Sequence, residues 1–472
     1  MWRKYLVAWL LLLIPADSCS IADYLTRIIE QGRASKSELA YAKTLGLPAY
    51  FESQLMVNAR GSAFWLSSKL NLAKKSGTHA VSLAQFYYSS KLYEDAYKWF
   101  RYATTLDPES REFRQLFSEF LYQQSRYQEL TQSVSNEETN SKVLNYLLNA
   151  YLALGDLQGL NQLLSTVNNP LWKVKARKRL EYYQVFPSTD RPLASCDNSI
   201  QMFATNIEDL GRAEELISLV QSKAVAQYFC FEKVRYTALP SLNCRLNAET
   251  AIQCDELAWQ KIAPNISARY VGVILPEGGA NVHEGILYLD RFDTEDVFAH
   301  EIWHLLGFVD EYPLPEYHSD CQQSEMVTIA KNVFVTPKIT FINRLEARAK
   351  ILSEIPWAAK IKPSTPILTE NGENWHVGTP STHRDEIGVF PAKTCSKSTV
   401  FSFKPVNEYT TLEYQETPVP RLYHWLLEND FNAFIKPSYH FNIALASEQS
   451  GNRELAHHWL RKTKFKVSAQ LN

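Results

Sequence analysis

A short segment of the chain carries the residue types of a hydrolytic metal site. His300 and His304 are four residues apart, and Glu301 directly follows the first of them. On a helix this spacing puts both imidazoles on one face, at the separation that a single Zn²⁺ ion requires. Glu301 lies beside them, where a carboxylate can hold a water molecule and take its proton. The segment predicts a zinc site with His300 and His304 as ligands and Glu301 as the catalytic general base.

The residues after His304 predict a third ligand. Gly307 comes three residues later, where the helix must end and the chain must turn back, and glycine readily adopts the left-handed conformation of such a turn. Asp310 follows six residues after His304. The segment resembles the metzincin peptidase pattern His-Glu-x-x-His-x-x-Gly-x-x-His, in which some members carry Asp as the last residue. The resemblance implies that Asp310 is an oxygen ligand and that one coordination position stays open for water, as in catalytic sites.

Other carboxylates compete for the same role. Residues 310–312, Asp-Glu-Tyr, also resemble the segment after the zinc helix in IgA-peptidase-like metzincins, where the gap from the second His is one residue longer. Glu311 is therefore a rival third ligand, and Glu316 or Glu325 would serve in a thermolysin-like arrangement. Asp310 is preferred because the preceding glycine has a purpose only if the turn delivers this residue. Glu311 would then accept a hydrogen bond from a ligand imidazole and orient that ring.

Metzincins also place a methionine-containing turn, typically Ser-x-Met-x-Tyr, beneath the zinc. Residues 410–414 have this frame with Leu412 where methionine is expected, whereas residues 324–326 end in Met326 and lack the tyrosine. Leucine can replace the thioether as an apolar floor. The turn at 410–414 is preferred, and the resemblance then implies that Tyr414 approaches the metal and stabilises the oxyanion of the tetrahedral intermediate.

The elements around this segment predict an α/β order. An amphipathic helix is expected at 209–223, and Asp293 or Thr294 can cap the helix that carries the two histidines. Four strands are expected, at residues 199–205, 228–237, 270–276 and 285–290. This order predicts a mixed sheet in a metzincin-like catalytic domain at 195–420. A helical segment at 421–472 follows, either as a closure of that domain or as a detached helical repeat.

Residues 21–190 are predicted to be helical, because apolar residues recur at three and four positions and proline is scarce. Within 80–110, seven residues match the small and large positions of a tetratricopeptide repeat: Ala84, Tyr87, Tyr93, Ala96, Phe100, Ala103 and Pro108. A shift of 34 residues takes Tyr93 to Tyr127, inside a weaker second copy. The region resembles a short tetratricopeptide array, which implies stacked helix pairs that share one core. An irregular helical bundle is the alternative. The predicted fold class is thus α+β, with an all-α repeat region before the catalytic domain.

The N-terminus has the pattern of an export signal. Basic residues at 3–4 precede an apolar run at 5–14 that is too short to cross a bilayer. Cys19 raises lipid anchoring as a second option, but Asp17 fits poorly before a lipidated cysteine, so a secreted or periplasmic protein is preferred. Cys19 is either removed with the signal or acylated, which leaves six cysteines. Their even number predicts up to three disulfides in an oxidising compartment. They are Cys196, Cys230, Cys244, Cys254, Cys321 and Cys395.

Charge and hydropathy limit the classes of partner. A net charge of −2 without a Lys/Arg-rich run gives no electrostatic footprint for nucleic acid, and no later segment has an apolar run of membrane length. The expected function is that of an exported zinc-dependent endopeptidase acting on protein or peptide substrates, with the helical repeats as a surface for a protein partner. The alternative is a helical-repeat binding module of the cell envelope with a structural or non-peptidase zinc domain.

Overall fold

The computed structural model describes residues 20–134, 138–186 and 196–463. The predicted export signal and Cys19 lie outside the described residues. Two compact units are present, one formed by residues up to 150 with 165–169, the other by residues 151–164 with 170 onward. The predicted α+β class is confirmed, with an all-helical N-terminal region and a mixed sheet in the C-terminal region. Within the described ranges, no helix has both the length and the apolar character needed to span a membrane.

The N-terminal region consists of consecutive helices. They are α1 (Ile21–Glu30), α2 (Lys36–Thr44), α3 (Pro48–Val57), α4 (Ala63–Ala73), α5 (Gly77–Ser89), α6 (Tyr93–Leu106), α7 (Arg111–Gln123), α8 (Tyr127–Ser133), α9 (Ser141–Leu154), α10 (Leu157–Thr166) and α11 (Pro170–Tyr182). Helices α5 and α6 pack together, and Ala84, Ala96 and Ala103, which the repeat pattern places at close-packed positions, are fully buried. Small side chains let two helices approach closely, so this pair has the packing that the pattern requires. A tetratricopeptide array stays a prediction.

A six-stranded sheet is the centre of the second unit. Its elements are β1 (Ser199–Ala204), α12 (Ile207–Val220), β2 (Cys230–Phe231), β3 (Arg235–Tyr236), α13 (Leu239–Leu242), β4 (Tyr270–Leu275), β5 (Asn281–His283), β6 (Ile286–Asp290) and α14 (Glu295–Leu305). The strand order is β2-β1-β4-β6-β5, and β3 also pairs with β1. All pairs are parallel except β5 with β6. Every residue of β1 and β4 is buried, as expected for parallel strands that are covered on both faces.

The long strand predicted at 228–237 is wrong in detail. The chain forms a 3-10 turn at Ala224–Tyr228 and then two strands of two residues each. Each short strand pairs with a different end of β1, β2 with Ser199 and Ile200, β3 with Phe203 and Ala204. The residues between them leave the ladder, which interrupts the strand that the apolar run suggested.

Residues 311–420 form short antiparallel strands and one helix. They are β7 (Val327–Ala330), β8 (Val333–Thr336), β9 (Thr340–Phe341), α15 (Arg344–Glu354), β10 (Leu368–Asn371), β11 (Asn374–Val377), β12 (Phe390–Ala392) and β13 (Phe401–Lys404). One sheet has the order β12-β13-β8-β7 and the other β10-β11-β9. Further 3-10 turns are Glu256–Lys261, Ala263–Asn265, Ser319–Cys321, Ala358–Lys360 and Ser381–His383.

The C-terminal helices belong to the second unit. They are α16 (Arg421–Asn429), α17 (His440–Gln449) and α18 (Arg453–Leu460). Tyr439, Ile443 and Trp459 share a buried core with Val273 of β4 and Tyr288 of β6. Of the two readings that the sequence left open, this packing is a helical closure of the unit that carries the sheet.

The six cysteines form three pairs, as predicted. Cys196 pairs with Cys230, Cys244 with Cys254, and Cys321 with Cys395. All three pairs lie in the second unit. They fit an oxidising, extracellular environment.

Candidate metal centre

Helix α14 carries the His-Glu-x-x-His segment and begins where local chemistry places it. The Thr294 hydroxyl accepts a hydrogen bond from the Val297 amide at 3.3 Å and caps the helix. Glu295 and Asp296 lie in the first turn, where negative charge is favourable at the positive end of the helix dipole. Of the two predicted caps, Thr294 is the residue that acts as one.

Two constraints require glycine at position 307, in the turn after α14. Its φ of 87° lies in the left-handed region, as the pattern predicted. A Cβ atom here would also lie 2.5 Å from the carbonyl carbon and oxygen of Phe434, which no side chain could tolerate without a shift of backbone. The Asn332 side chain then holds the returning chain, accepting from the Val309 amide at 3.0 Å and donating to the Val309 carbonyl at 2.8 Å. The next residue is Asp310.

The turn brings Asp310 to the two histidines. Its Oδ1 atom lies 2.9 Å from His300 Nε2 and 3.2 Å from His304 Nε2, and the two Nε2 atoms are 3.2 Å apart. Among the residues that the structure describes, this is the one group of three or more His, Cys, Asp or Glu whose ligand atoms converge closely enough for a metal ion. The three residues predicted as ligands therefore lie together.

The hydrogen bonds of the two Nδ1 atoms determine which ring nitrogen of each histidine is available to a metal. His300 Nδ1 contacts the Thr411 carbonyl at 2.7 Å, and His304 Nδ1 contacts the Phe308 carbonyl at 3.0 Å. A carbonyl only accepts, so each Nδ1 carries a proton, and Nε2 is the ring nitrogen of each histidine that can give a lone pair to a metal. Two lone pairs and a carboxylate oxygen at one point suit a cation. Tetrahedral zinc separates its N and O ligands by about 3.3 Å, which is close to the 2.9, 3.2 and 3.2 Å between these atoms, so the donor set fits the ion.

Electrostatics at the site follow from burial and charge. Burial raises the pKa of Glu301, which is 5% exposed. Burial opposes a charge on His304 and on Asp310 as well, but the attraction between the two outweighs it. Asp310 raises the pKa of His304 to about 9, and His304 with His300 holds the pKa of Asp310 well below its usual range. Asp310 thus stays ionised, while Glu301 has a greater proton affinity than an exposed carboxylate.

Glu311 lies away from the three converging residues. It is fully buried, and its carboxylate accepts hydrogen bonds from Asn332 at 3.0 Å, from Lys404 and Thr410 at 2.8 Å each, and from the Tyr423 hydroxyl. The atom that accepts the proton of His300 Nδ1 is a main-chain carbonyl rather than Glu311.

The two carboxylates of the thermolysin-like alternative lie elsewhere. Glu316 and Glu325 are exposed and do not belong to the converging group. Their positions favour Asp310 over both as the third donor.

The turn at 410–414 lies beside helix α14, which carries both histidines. Leu412 is fully buried, and its carbonyl accepts from the Glu311 amide at 2.9 Å. The preceding Thr411 carbonyl meets His300. Met326 is also buried, but of the two candidate segments it is 410–414 that contacts a predicted ligand.

Tyr312, which the sequence did not single out, is the tyrosine at this site. Its ring stacks on that of His300 with centroids 6.1 Å apart and planes 16° apart. Partial burial of Tyr312, which is 39% exposed, raises its pKa together with the charges of Asp310 and Glu301. Tyr414 is half exposed, and its ring contacts Tyr409 instead. The available signal for Tyr312 was its place in the Asp-Glu-Tyr tripeptide.

His304 borders a cavity of about 400 Å³. Glu301, His304, Asp310 and Tyr312 line one side of it, and residues 280–282, from the edge strand β5 and the residue before it, line another. Four consecutive residues, which the sequence did not predict at the site, line a further side of the cavity: Phe434, Ile435, Lys436 and Pro437. The cavity gives a small organic group access to the carboxylate of Glu301.

Comparison with known proteins adds no family: no family model and no curated protein matches this chain. The metzincin resemblance stays a prediction from the sequence pattern.

Proposed function

We propose that this chain is a zinc-dependent endopeptidase whose metal is held by His300, His304 and Asp310. One observation carries the proposal. Two imidazoles have their Nδ1 atoms committed to main-chain carbonyls, and their Nε2 atoms converge on one carboxylate oxygen. Zinc, when bound, supplies a Lewis acid for the scissile carbonyl and activates the attacking water.

Glu301 is the proton carrier in this proposal. Its Oε2 atom lies 4.0 Å from His304 Nε2, and it lines the cavity. Glu301 accepts a proton from the attacking water and passes it to the leaving amine. The raised pKa of this buried carboxylate suits the work, because a carboxylate with a greater proton affinity takes the proton of the water more readily than an exposed one does.

A peptide is the substrate class that the cavity supports best. Strand β5 ends the described six-stranded sheet, and it pairs only through the side that faces β6. Its residues Asn281 and Val282 line the cavity. An extended peptide can add to a free strand edge through main-chain hydrogen bonds, which would place a peptide bond beside Glu301.

The test compares zinc content and hydrolysis of casein and of a peptide library. We expect Glu301→Gln to retain zinc and to lose about 10²–10⁴-fold in hydrolysis rate. Glu316→Gln, in which an exposed carboxylate away from the site is changed, should keep full activity. Hydrolysis that is unchanged in Glu301→Gln contradicts the proposal. Zinc binding without peptide hydrolysis in the unmodified protein would instead favour a binding or non-peptide role.

Export and partner binding complete the proposal. The three disulfides support an exported protein, because such bonds persist in oxidising compartments. The helical region offers a surface on which a substrate or an envelope protein could bind.

A further inference from the structure

A group of buried polar residues lies behind the candidate metal centre and takes no part in binding the metal. Its centre is the ion pair of Glu311 and Lys404, with Oε2 and Nζ 2.8 Å apart and side chains 0% and 4% exposed. Lys404 also contacts Glu413 at 3.1 Å and the Glu408 carbonyl at 3.0 Å. A buried ion pair seldom stabilises a fold more than well-packed apolar residues would. General stability therefore gives no sufficient reason for this pair.

The ion pair is connected to His300 through the turn at 410–412. Glu311 accepts from the Thr410 hydroxyl at 2.8 Å through its side chain, and its amide donates to the Leu412 carbonyl at 2.9 Å. The Thr411 carbonyl, between these two bonds, receives His300 Nδ1 at 2.7 Å. Two bonds from one residue thus flank the peptide group that faces the imidazole.

We propose that Glu311, held by Lys404, is a positioning residue that orients the Thr411 carbonyl and thereby keeps the proton of His300 on Nδ1. This inference rests on the proposed metal site but not on hydrolysis. A ring whose Nδ1–H is held by a carbonyl keeps its Nε2 lone pair directed at the metal, and loss of such a contact typically weakens metal binding by about 10–100-fold. The site therefore depends on a carboxylate that never contacts the metal.

The first variant is Thr410→Val. It removes the hydroxyl that joins the turn to Glu311, and with it the bond that this oxygen accepts from the Leu412 amide at 3.2 Å. It keeps the shape of the side chain, and Glu311 and Lys404 stay paired, so no buried charge is left alone. Thr410→Ser restores the hydroxyl and should restore the function. Glu311→Gln is a second variant, in which Lys404 keeps Glu413 as its partner. Glu413→Gln is the matched control, because it removes a partner of Lys404 and leaves the bond between Glu311 and Thr410 intact.

The experiment uses the full-length protein and reads two quantities. Zinc affinity is measured by competition with a chromophoric chelator. Hydrogen exchange of the imidazole Nδ1–H protons is measured by NMR of ¹⁵N-histidine-labelled, metal-free protein. His304, whose Nδ1 bonds to Phe308 outside this group, is the internal reference.

We expect Thr410→Val and Glu311→Gln to weaken zinc binding about tenfold and to accelerate exchange at His300 but not at His304. Thr410→Ser and Glu413→Gln should resemble the unmodified protein. Equal acceleration at both histidines would show a general loosening and overturn the proposal, as would unchanged exchange at His300. If the unmodified protein binds no zinc, the proposed function fails, and the exchange measurement still decides the role of Glu311.

Discussion

Replacing Gly307 with alanine tests whether the turn after α14 needs glycine for two separate reasons. The first is its φ of 87°, which costs an alanine about 1 kcal/mol. The second is space, because a Cβ atom would lie 2.5 Å from main-chain atoms of Phe434. Main-chain atoms cannot rotate away, and overpacking of this kind costs about 1–3 kcal/mol. We expect Gly307→Ala to lower the free energy of unfolding by about 2–4 kcal/mol.

Gly372 supplies the matched control. Its φ is 63°, and no heavy atom lies within 4 Å of the position of a Cβ, so Gly372→Ala carries only the conformational cost of about 1 kcal/mol. Both glycines lie in the second unit, so urea unfolding followed by fluorescence compares them in the same transition. Equal losses in the two variants would refute the claim that Phe434 crowds Gly307.

Two further predictions concern pH and the disulfide near the site. Burial raises the pKa of Asp293 to about 7, so its stabilising contribution is complete below pH ~4 and is lost as the pH rises through 7. Between pH 5 and 8 the free energy of unfolding of Asp293→Asn should therefore rise by about 1–2 kcal/mol relative to that of the unmodified protein, after discounting for partial exposure. A difference in unfolding free energy that does not change with pH would contradict this. Replacing Cys321 and Cys395 with alanine opens a link across 74 residues and should cost about 2–4 kcal/mol in the same unfolding assay. Because Thr394, beside Cys395, donates to the Asp310 carbonyl at 2.8 Å, zinc content should fall as well, and unchanged zinc would argue against that connection.

Local patterns were sufficient for the elements that carry the site. Helix α14 was predicted because its cap, its acidic first turn and its histidine spacing are all properties of neighbouring residues. Strands β1, β4 and β6 were predicted because each is a mostly apolar run of five or six residues bounded by turn residues. Both kinds of signal need no knowledge of distant partners.

What was missed depends on residues far apart in the chain. Strand β5 has three residues, too few for a period, and it exists because it pairs with β6. Phe403 lies opposite Phe334 in the β13–β8 ladder, a pairing that neither short segment announces. The close approach of Phe434 to Gly307 and the fixing of His300 by Thr411 are likewise contacts between distant segments. The sequence pattern predicted three ligands, and contacts between distant segments bring the three residues together.

Zinc-edge anomalous diffraction from crystals of the zinc-loaded protein tests the central claim most directly. The account predicts one strong peak, bonded at about 2.0–2.2 Å to Nε2 of His300, Nε2 of His304 and a carboxylate oxygen of Asp310. Glu311 should remain bonded to Lys404 in the same crystal. A peak bound by Glu311 instead of Asp310, a peak elsewhere on the chain, or no peak after zinc loading would contradict the account.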